Sequence, residues 1–171
     1  MSVVIDKYGT EIIVGSKTKY ELTSTFPTVA QANVTRVNIP GWNFNVVAGK
    51  TYRVEIIASY QAAALTTGGS MGVVLNSGTG TIHGFMEGEI LQTVSAGGLK
   101  TSIRAVSTSN TLAGSFMTTT GVGVIKSPHS WYGLFTFKCI TSGVLQLQWG
   151  TEVANSLASL LSGSIVLVEE I

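Results

Sequence analysis

The residues best suited to acid–base chemistry are few in this chain, and the sequence does not pair them. Nine of 171 residues are acidic, and Asp6 is the single aspartate. Glu87 and Glu89 are spaced two apart, so on a strand both would lie on one face. A glycosidase needs two carboxylates about 5–9 Å apart, which makes this pair a candidate for hydrolysis. No further acid lies nearby in the sequence, which favours a solvated surface instead.

Metal binding and nucleophilic chemistry have equally little support. His83 and His129 are the only histidines, and neither an HxH nor an HExxH spacing occurs. A metal site would therefore have to be shared across the symmetry axis of an oligomer. Cys139 is the only cysteine, which excludes an internal disulfide, and its apolar surroundings in sequence favour a small buried hydrophobe. We expect a non-enzymatic protein with no catalytic residue, no metal and no cofactor.

Ligand binding has two further candidate features. The Gly-rich segments 66–70 and 76–80 lack the lysine of a phosphate-binding loop and precede no predicted helix, so we predict flexible loop tips. Aromatic side chains could stack on sugar rings, although their positions on alternating strands favour core or interface packing. These are Tyr8, Tyr20, Trp42, Tyr60, Trp131, Tyr132 and Trp149. The glycosylation sequon at Asn33 is interpreted as chance, because no signal peptide precedes it.

The composition favours assembly over electrostatic recruitment. Charged residues make up 11% of the chain, against roughly 25% in an average soluble protein. The net charge of +1 provides no field to attract nucleic acid or an anionic membrane. A mean hydropathy of +0.38 predicts apolar surface that another subunit covers. With neither a signal peptide nor a transmembrane segment in the sequence, we expect synthesis in the cytoplasm and no membrane partner.

Hydrophobic alternation predicts strands along most of the chain. The clearest cover residues 51–61 and 131–140. The latter is followed by a turn and by a strand at 144–149, which predicts a hairpin. A further strand closes the chain at 164–168. Weaker strands are predicted at 34–38, 71–76, 81–86, 101–107 and 114–117. Segment 152–161 has apolar residues at helical spacing and predicts a helix, with an irregular loop as the alternative.

About eight strands without βαβ alternation predict an all-β, antiparallel β-sandwich. We predict a jelly roll, with an immunoglobulin-like sandwich as the alternative. Residues 1–30 contain a charged stretch and a predicted small hairpin at 3–5 and 11–14. We predict that they form an N-terminal arm, a candidate attachment segment, on a sandwich domain of residues 31–171. The alternative is that these strands pair at an edge of the main sheet.

Four segments resemble a known group of proteins. They are residues 43–57 (NFNVVAGKTYRVEII), 59–69 (SYQAAALTTGG), 142–150 (SGVLQLQWG) and 163–171 (GSIVLVEEI). The first has a strand, Ala-Gly-x-x-Tyr, strand pattern, and all four are similar to segments of jelly-roll virion accessory proteins of tailed bacteriophages, which include head-decoration proteins, head fibres and tail-fibre tips. The resemblance covers residues 34–171.

The resemblance implies a location in the virion, a homotrimer, and contacts with phage capsid or tail proteins. It carries over no functional residue and does not choose between head and tail. A second hypothesis is a carbohydrate- or receptor-binding module at a fibre tip that contacts a host surface glycan. A third is a hydrolase that uses Glu87 or Glu89.

Overall fold

A computed structural model describes residues 2–5, 11–14, 17–27, 36–64, 66–76, 78–92, 99–109, 114–118, 128–151 and 153–171. Within these ranges the chain forms fourteen strands, and every pairing between them is antiparallel. The same ranges contain no helix able to cross a membrane.

The strands are β1 (Ser2–Ile5), β2 (Glu11–Val14), β3 (Thr18–Glu21), β4 (Phe26–Pro27), β5 (Val37–Val46), β6 (Thr51–Ala62), β7 (Gly69–Asn76), β8 (Thr79–Gln92), β9 (Leu99–Ser109), β10 (Gly114–Thr118), β11 (His129–Thr141), β12 (Gly143–Thr151), β13 (Ala158–Leu160) and β14 (Ile165–Glu170).

Eight of these strands build a two-sheet sandwich. The larger sheet has the order β3-β14-β6-β11-β8-β9, and the smaller sheet has the order β10-β7-β12-β5. The eight strands of the jelly roll can be numbered one to eight in chain order, as β3, β5, β6, β7, β10, β11, β12 and β14. With these numbers, the first four strands of the larger sheet have the order 1-8-3-6, and the smaller sheet has the order 5-4-7-2. This is the order of two Greek keys folded into a jelly roll. The predicted all-β sandwich of jelly-roll type is confirmed.

The chain departs from eight strands through an inserted hairpin. Strands β8 and β9 lie between the fourth and fifth strands of the jelly roll and pair with each other from Ile82↔Ser109 to Gln92↔Leu99. Strand β8 also pairs with β11, so the hairpin widens the larger sheet. Short β13 pairs with β6 and with β4 beside this sheet.

The predicted hairpin of residues 131–149 is wrong. Strands β11 and β12 are separated by Ser142 alone, yet β11 pairs with β6 and β8 while β12 pairs with β5 and β7. The chain crosses here from one sheet to the other. Both strands have one apolar face, and in a sandwich these faces meet across the core instead of lying side by side in one sheet.

The predicted helix at 152–161 is also wrong. Asn155 has a left-handed φ of 58° in a turn, and β13 follows with Ala158 and Leu160 fully buried. The indole Nε1 of Trp149 donates a hydrogen bond to the carbonyl oxygen of Ala158 at 3.2 Å. Burial and this bond stabilise the extended backbone, and tertiary packing outweighs the helix propensity of the segment.

Aromatic side chains from both sheets fill the centre of the sandwich. Trp131 in the larger sheet meets Trp149 in the smaller sheet edge to face, with ring centroids 5.5 Å apart. Tyr60 packs on both, at 5.8 Å from Trp131 and 5.5 Å from Trp149. All three side chains are buried, as is Trp42. Such pairs combine a large buried area with favourable ring geometry.

The N-terminal residues behave in two ways. Strands β1 and β2 pair with each other in a separate two-stranded sheet, at the positions where the sequence predicts a small hairpin. Strand β3 instead pairs with β14 at the edge of the larger sheet. Leu22, directly after β3, is 5% exposed and belongs to the core. Part of the predicted arm therefore supplies an edge strand of the sandwich.

Alanine substitutions at two glycines of β7 should lower the free energy of unfolding by different amounts. A Cβ at Gly69 would lie 2.1 Å from the buried ring of Trp149, whereas a Cβ at Gly72 would meet the flexible side chain of Arg36 at 2.7 Å. We expect Gly69→Ala to lower the free energy of unfolding by about 1–3 kcal/mol, because the ring cannot move. Gly72→Ala is the matched control and should cost less than half as much. Urea denaturation measures both, and equal losses would contradict this packing argument.

Candidate functional site

The structure does not bring the predicted metal ligands together. His129 is the first residue of β11, not part of a loop as predicted, and is 2% exposed. Its ring lies 5.3 Å from that of Tyr60. A histidine this deeply buried cannot reach a neighbouring subunit, so it is not placed for a metal on a symmetry axis. In the described part of the chain, no three His, Cys, Asp or Glu side chains cluster around a possible ion.

The other candidate acid–base residues lie in β8. In backbone register, His83 is opposite Thr136, and Glu87 is opposite Tyr132 and Arg104. The Glu87–Glu89 pair is therefore within a strand, at the spacing that places both residues on one face. The side chains of these three residues lie outside the described part of the structure, and the hydrolase hypothesis gains no geometric support.

Cys139 is a core residue. It is 1% exposed, and its Sγ donates a hydrogen bond to the carbonyl oxygen of Thr141 at 3.1 Å. Burial raises the pKa of the Cys139 thiol. Because the thiolate is the nucleophilic form, a buried thiol with a raised pKa is unreactive, which agrees with the interpretation of Cys139 as a small hydrophobe.

The first Gly-rich segment is packed, not a free loop tip as predicted, whereas the second includes the short connection from β7 to β8, where Asn76 and Thr79 are exposed. Residues 67–70 are buried, and Gly69 and Ser70 begin β7. The hydroxyls of Thr67 and Ser156 are hydrogen-bonded to each other. Gly80 lies beneath the ring of Phe137, where a Cβ would be 2.1 Å away. These glycines serve close packing, a role that the sequence does not distinguish from flexibility.

Most of the aromatic candidates cannot stack on a sugar. The three tryptophans and Tyr60 are buried. Tyr20 is partly buried and packs against Phe44 with ring centroids 5.7 Å apart. Tyr132 is partly exposed, and Tyr8 lies outside the described residues. No tryptophan is therefore available as a binding platform on the sandwich.

An apolar patch lies on the outer face of the larger sheet. At its centre is Ile57, which is 45% exposed. Ile57 pairs in register with Ile165 and Tyr132, and the adjacent row of the sheet contains Leu167 and Leu134. All four neighbours are partly exposed. We call these five residues the Ile57 face.

The polar groups within the Ile57 face are paired. Glu55 lies between Leu167 and Leu134 in register. Its carboxylate accepts a hydrogen bond from the Tyr132 hydroxyl at 3.2 Å and lies 3.6 Å from the Lys17 ammonium. Burial and, after it, this carboxylate raise the pKa of Tyr132. With its charge balanced by Lys17, Glu55 adds little repulsion to the apolar surface around it.

The smaller sheet is different, because its strands β5, β7, β10 and β12 contain no Asp, Glu, Lys or Arg. Its outer side carries side-chain amides together with two partly exposed valines, Val74 and Val144. The amides belong to Asn38, Asn43, Asn45, Asn76, Gln146 and Gln148, which we call the amide face. Gln148 Nε2 donates to Asn38 Oδ1 at 2.8 Å. The buried Gln146 donates to the carbonyl oxygens of Ile39 and Trp42 and so stabilises the irregular part of β5.

Among the described residues, Arg36 is the cation that borders the amide face. Arg36 directly precedes β5, and its Nε donates a hydrogen bond to Ser70 Oγ at 2.8 Å. The side chain is partly buried and lies over Gly72, and burial lowers its pKa. The ion pairs of the described residues, Lys17–Glu55, Lys19–Glu21 and Lys50–Glu170, all lie on the larger sheet or beside its strands.

Three known structures show distant similarity to this chain. A tumour necrosis factor, Eiger TNF from S. frugiperda, is 10% identical with a TM-score of 0.38, over 92% of this chain and 93% of that one. The infectious bursal disease virus Gt strain structure is 12% identical with a TM-score of 0.26, and the chain spans 46% of its length. The VP2 subviral particle of the same virus is 10% identical, with a TM-score of 0.26 and 44% of its length spanned.

These similarities carry no functional information, because the identities and TM-scores are low. No protein-family model matches the chain, and no curated protein matches it. The surfaces themselves therefore carry the functional argument.

The buried thiol predicts a pH dependence of stability. Because burial raises the pKa of Cys139 in the folded state, the unfolded chain loses the thiol proton first as the pH rises. The contribution of the thiol is constant below the ordinary cysteine pKa of about 8.5 and falls above it, by at most about 1.4 kcal/mol per pH unit.

Cys139→Ala removes this effect, so the difference in unfolding free energy between wild type and variant should shrink between pH 8 and pH 10. Urea denaturation of both proteins at each pH measures the difference. A difference that stays constant would mean that Cys139 ionises as easily in the folded chain as in the unfolded one.

Proposed function

We propose that this chain is a non-enzymatic structural subunit of a tailed-phage virion, as a capsid decoration or a head or tail fibre component, and that it acts through contacts between subunits. The observation that carries the proposal is the Ile57 face. An isoleucine at 45% exposure in the middle of a sheet, with four partly exposed apolar neighbours, is a surface that a second protein can cover.

Association through this face gains free energy without a large electrostatic cost. Burying one fully exposed aliphatic side chain gives about 1.5–3 kcal/mol, and each of the partly exposed side chains here contributes a fraction of that. Glu55, the carboxylate among them, is already balanced by Lys17 and bonded to Tyr132. The sequence resemblance supports a homotrimer of this kind and a place in the virion.

The chemistry of the chain supports an assembly role over catalysis. Its thiol and the His129 ring are buried, and three of its described carboxylates, those of Glu21, Glu55 and Glu170, are paired with lysines. The alternative, a carbohydrate- or receptor-binding module at a fibre tip, is favoured by a separate observation, the amide face with Arg36 beside it.

The assembly proposal predicts that charge on the Ile57 face separates the subunits. Light scattering of the wild type at micromolar concentration should give the mass of three 17.9 kDa chains. Ile57→Lys combined with Leu134→Lys should give a monomer, because two cations cannot be buried there without partners.

Val153→Lys is the matched control. Val153 is 37% exposed and lies in the turn after β12, outside the Ile57 face, so this variant should keep the wild-type mass. A wild type that is monomeric, or a double variant with unchanged mass, would refute the use of this face.

The N-terminal hairpin is proposed as the attachment segment, and the fold defines how to test it. A deletion of residues 1–16 removes β1 and β2 but keeps β3 and the buried Leu22. We expect a thermal midpoint within a few degrees of wild type and loss of incorporation into particles, measured by co-sedimentation.

Deletion of residues 1–22 is the control, and it should also lower the thermal midpoint because it removes an edge strand and a core leucine. Normal incorporation of the chain that lacks residues 1–16 would show that attachment uses another surface.

A further inference from the structure

The Arg36 side chain contacts two residues of β7, Ser70 and Gly72. Its Nε donates to Ser70 Oγ at 2.8 Å, and its Cδ occupies the space that a side chain at position 72 would need, 2.7 Å from an ideal Cβ there. A glycine and a serine on the outer side of one strand thus hold the arginine stem against the sheet.

The Arg36 guanidinium has further N–H donors besides the Nε–H that bonds Ser70. Arginine carries five N–H donors in a planar fork, and the Nε–H is used by Ser70. The described carboxylate side chains, Glu21, Glu55, Glu169 and Glu170, are all on strands of the larger sheet. Within the described residues, Arg36 therefore has no carboxylate partner. A partly buried cation without a counter-charge is unfavourable unless an anion completes the site.

The neighbouring groups indicate which anion fits. Gln148 and Asn38 are joined by their amides, and a Cβ at Gly72 would lie 3.5 Å from Gln148 Oε1 and 2.7 Å from Arg36 Cδ, so the three side chains are adjacent. Asn43 and Asn45 follow along β5 and are exposed. The arginine fork matches a carboxylate with two parallel hydrogen bonds, and amides both donate to and accept from hydroxyl groups.

We propose that Arg36, with Asn38 and Gln148, binds the carboxylate of an acidic saccharide, and that the amide face binds the hydroxyls of its sugar residues. An acidic peptide fits less well. Protein interfaces use large aromatic and apolar anchors, whereas the described outward side chains of the smaller sheet include no aromatic residue, and their apolar members are the small, partly exposed Val74 and Val144. The site is independent of the assembly proposal, because it lies on the opposite sheet from the Ile57 face.

Isothermal titration of the full chain tests the site with defined probes. These are tetragalacturonate, an oligosaccharide ending in N-acetylneuraminate, the carboxyl-reduced form of each, and tetraglutamate. We expect one acidic saccharide to bind about tenfold or more tightly than its reduced form and than tetraglutamate. Arg36→Gln should remove that preference, and Arg36→Lys should remove most of it, because lysine lacks the planar fork.

Arg53→Gln is the matched control. Arg53 is exposed on the larger sheet, so its loss should leave binding unchanged. NMR spectroscopy gives a second measurement on the wild type itself. The Nε–Hε resonance of Arg36 should change its chemical shift on titration with the acidic saccharide and should not change with the carboxyl-reduced form.

Three results would overturn the proposal. They are no binding of either acidic saccharide at millimolar concentration, equal binding by wild type and Arg36→Gln, and a preference for tetraglutamate. A fourth result that would overturn the proposal is a change in affinity on Glu152→Gln. This variant tests whether Glu152, which follows β12 in sequence, is a carboxylate partner of Arg36. An affinity raised tenfold by Glu152→Gln would mean that Glu152 already serves as the carboxylate for Arg36, and unchanged affinity is the result we expect.

Discussion

The contact between Trp131 and Trp149 is the interaction on which the rest of the structure depends. The two rings come from opposite sheets and meet edge to face at 5.5 Å, with Tyr60 packed on both. Two local features accommodate this contact. Gly69 leaves room for the Trp149 ring, and the carbonyl oxygen of Ala158 in β13 accepts the indole hydrogen bond. Because the aromatic side chains are used to join the sheets, none of the tryptophans is left for a ligand.

With the core aromatic and filled, function is left to the two outer faces, and the chain distributes charge between them unequally. The larger sheet carries the described acids, their lysine partners and the apolar Ile57 face. The smaller sheet has no charged residue in its strands and presents amides, with Arg36 at its border. A surface of the first kind suits contact with protein, and one of the second kind suits a hydroxyl-rich ligand. The two proposals thus assign assembly to one sheet of the sandwich and ligand binding to the other.

Much of the strand pattern could be predicted from local sequence. Alternation located β6 to within one residue, predicted at 51–61 and found at Thr51–Ala62, and it located β14, predicted at 164–168 and found at Ile165–Glu170. The failures share a cause. Residues 152–161 and the Gly-rich segment 66–70 have local propensities for helix and flexible loop, but Ala158 accepts a hydrogen bond from Trp149 and Gly69 lies against the Trp149 ring. Propensity acts within a few residues, whereas the free energy of burial comes from residues distant in the chain.

The sequence by itself determined that this chain forms antiparallel strands with one apolar face each, and that its few reactive residues are not paired in sequence. The tertiary structure alone decided which sheet each strand joins, so that β11 and β12 separate at Ser142 instead of forming a hairpin. It also placed Arg36 on Gly72 and Ser70, a juxtaposition with no signal in the sequence. The physical reason is that a period of two identifies which side of a strand is buried. Backbone hydrogen bonds are the same for any neighbouring strand, so only packing across the core selects the partner.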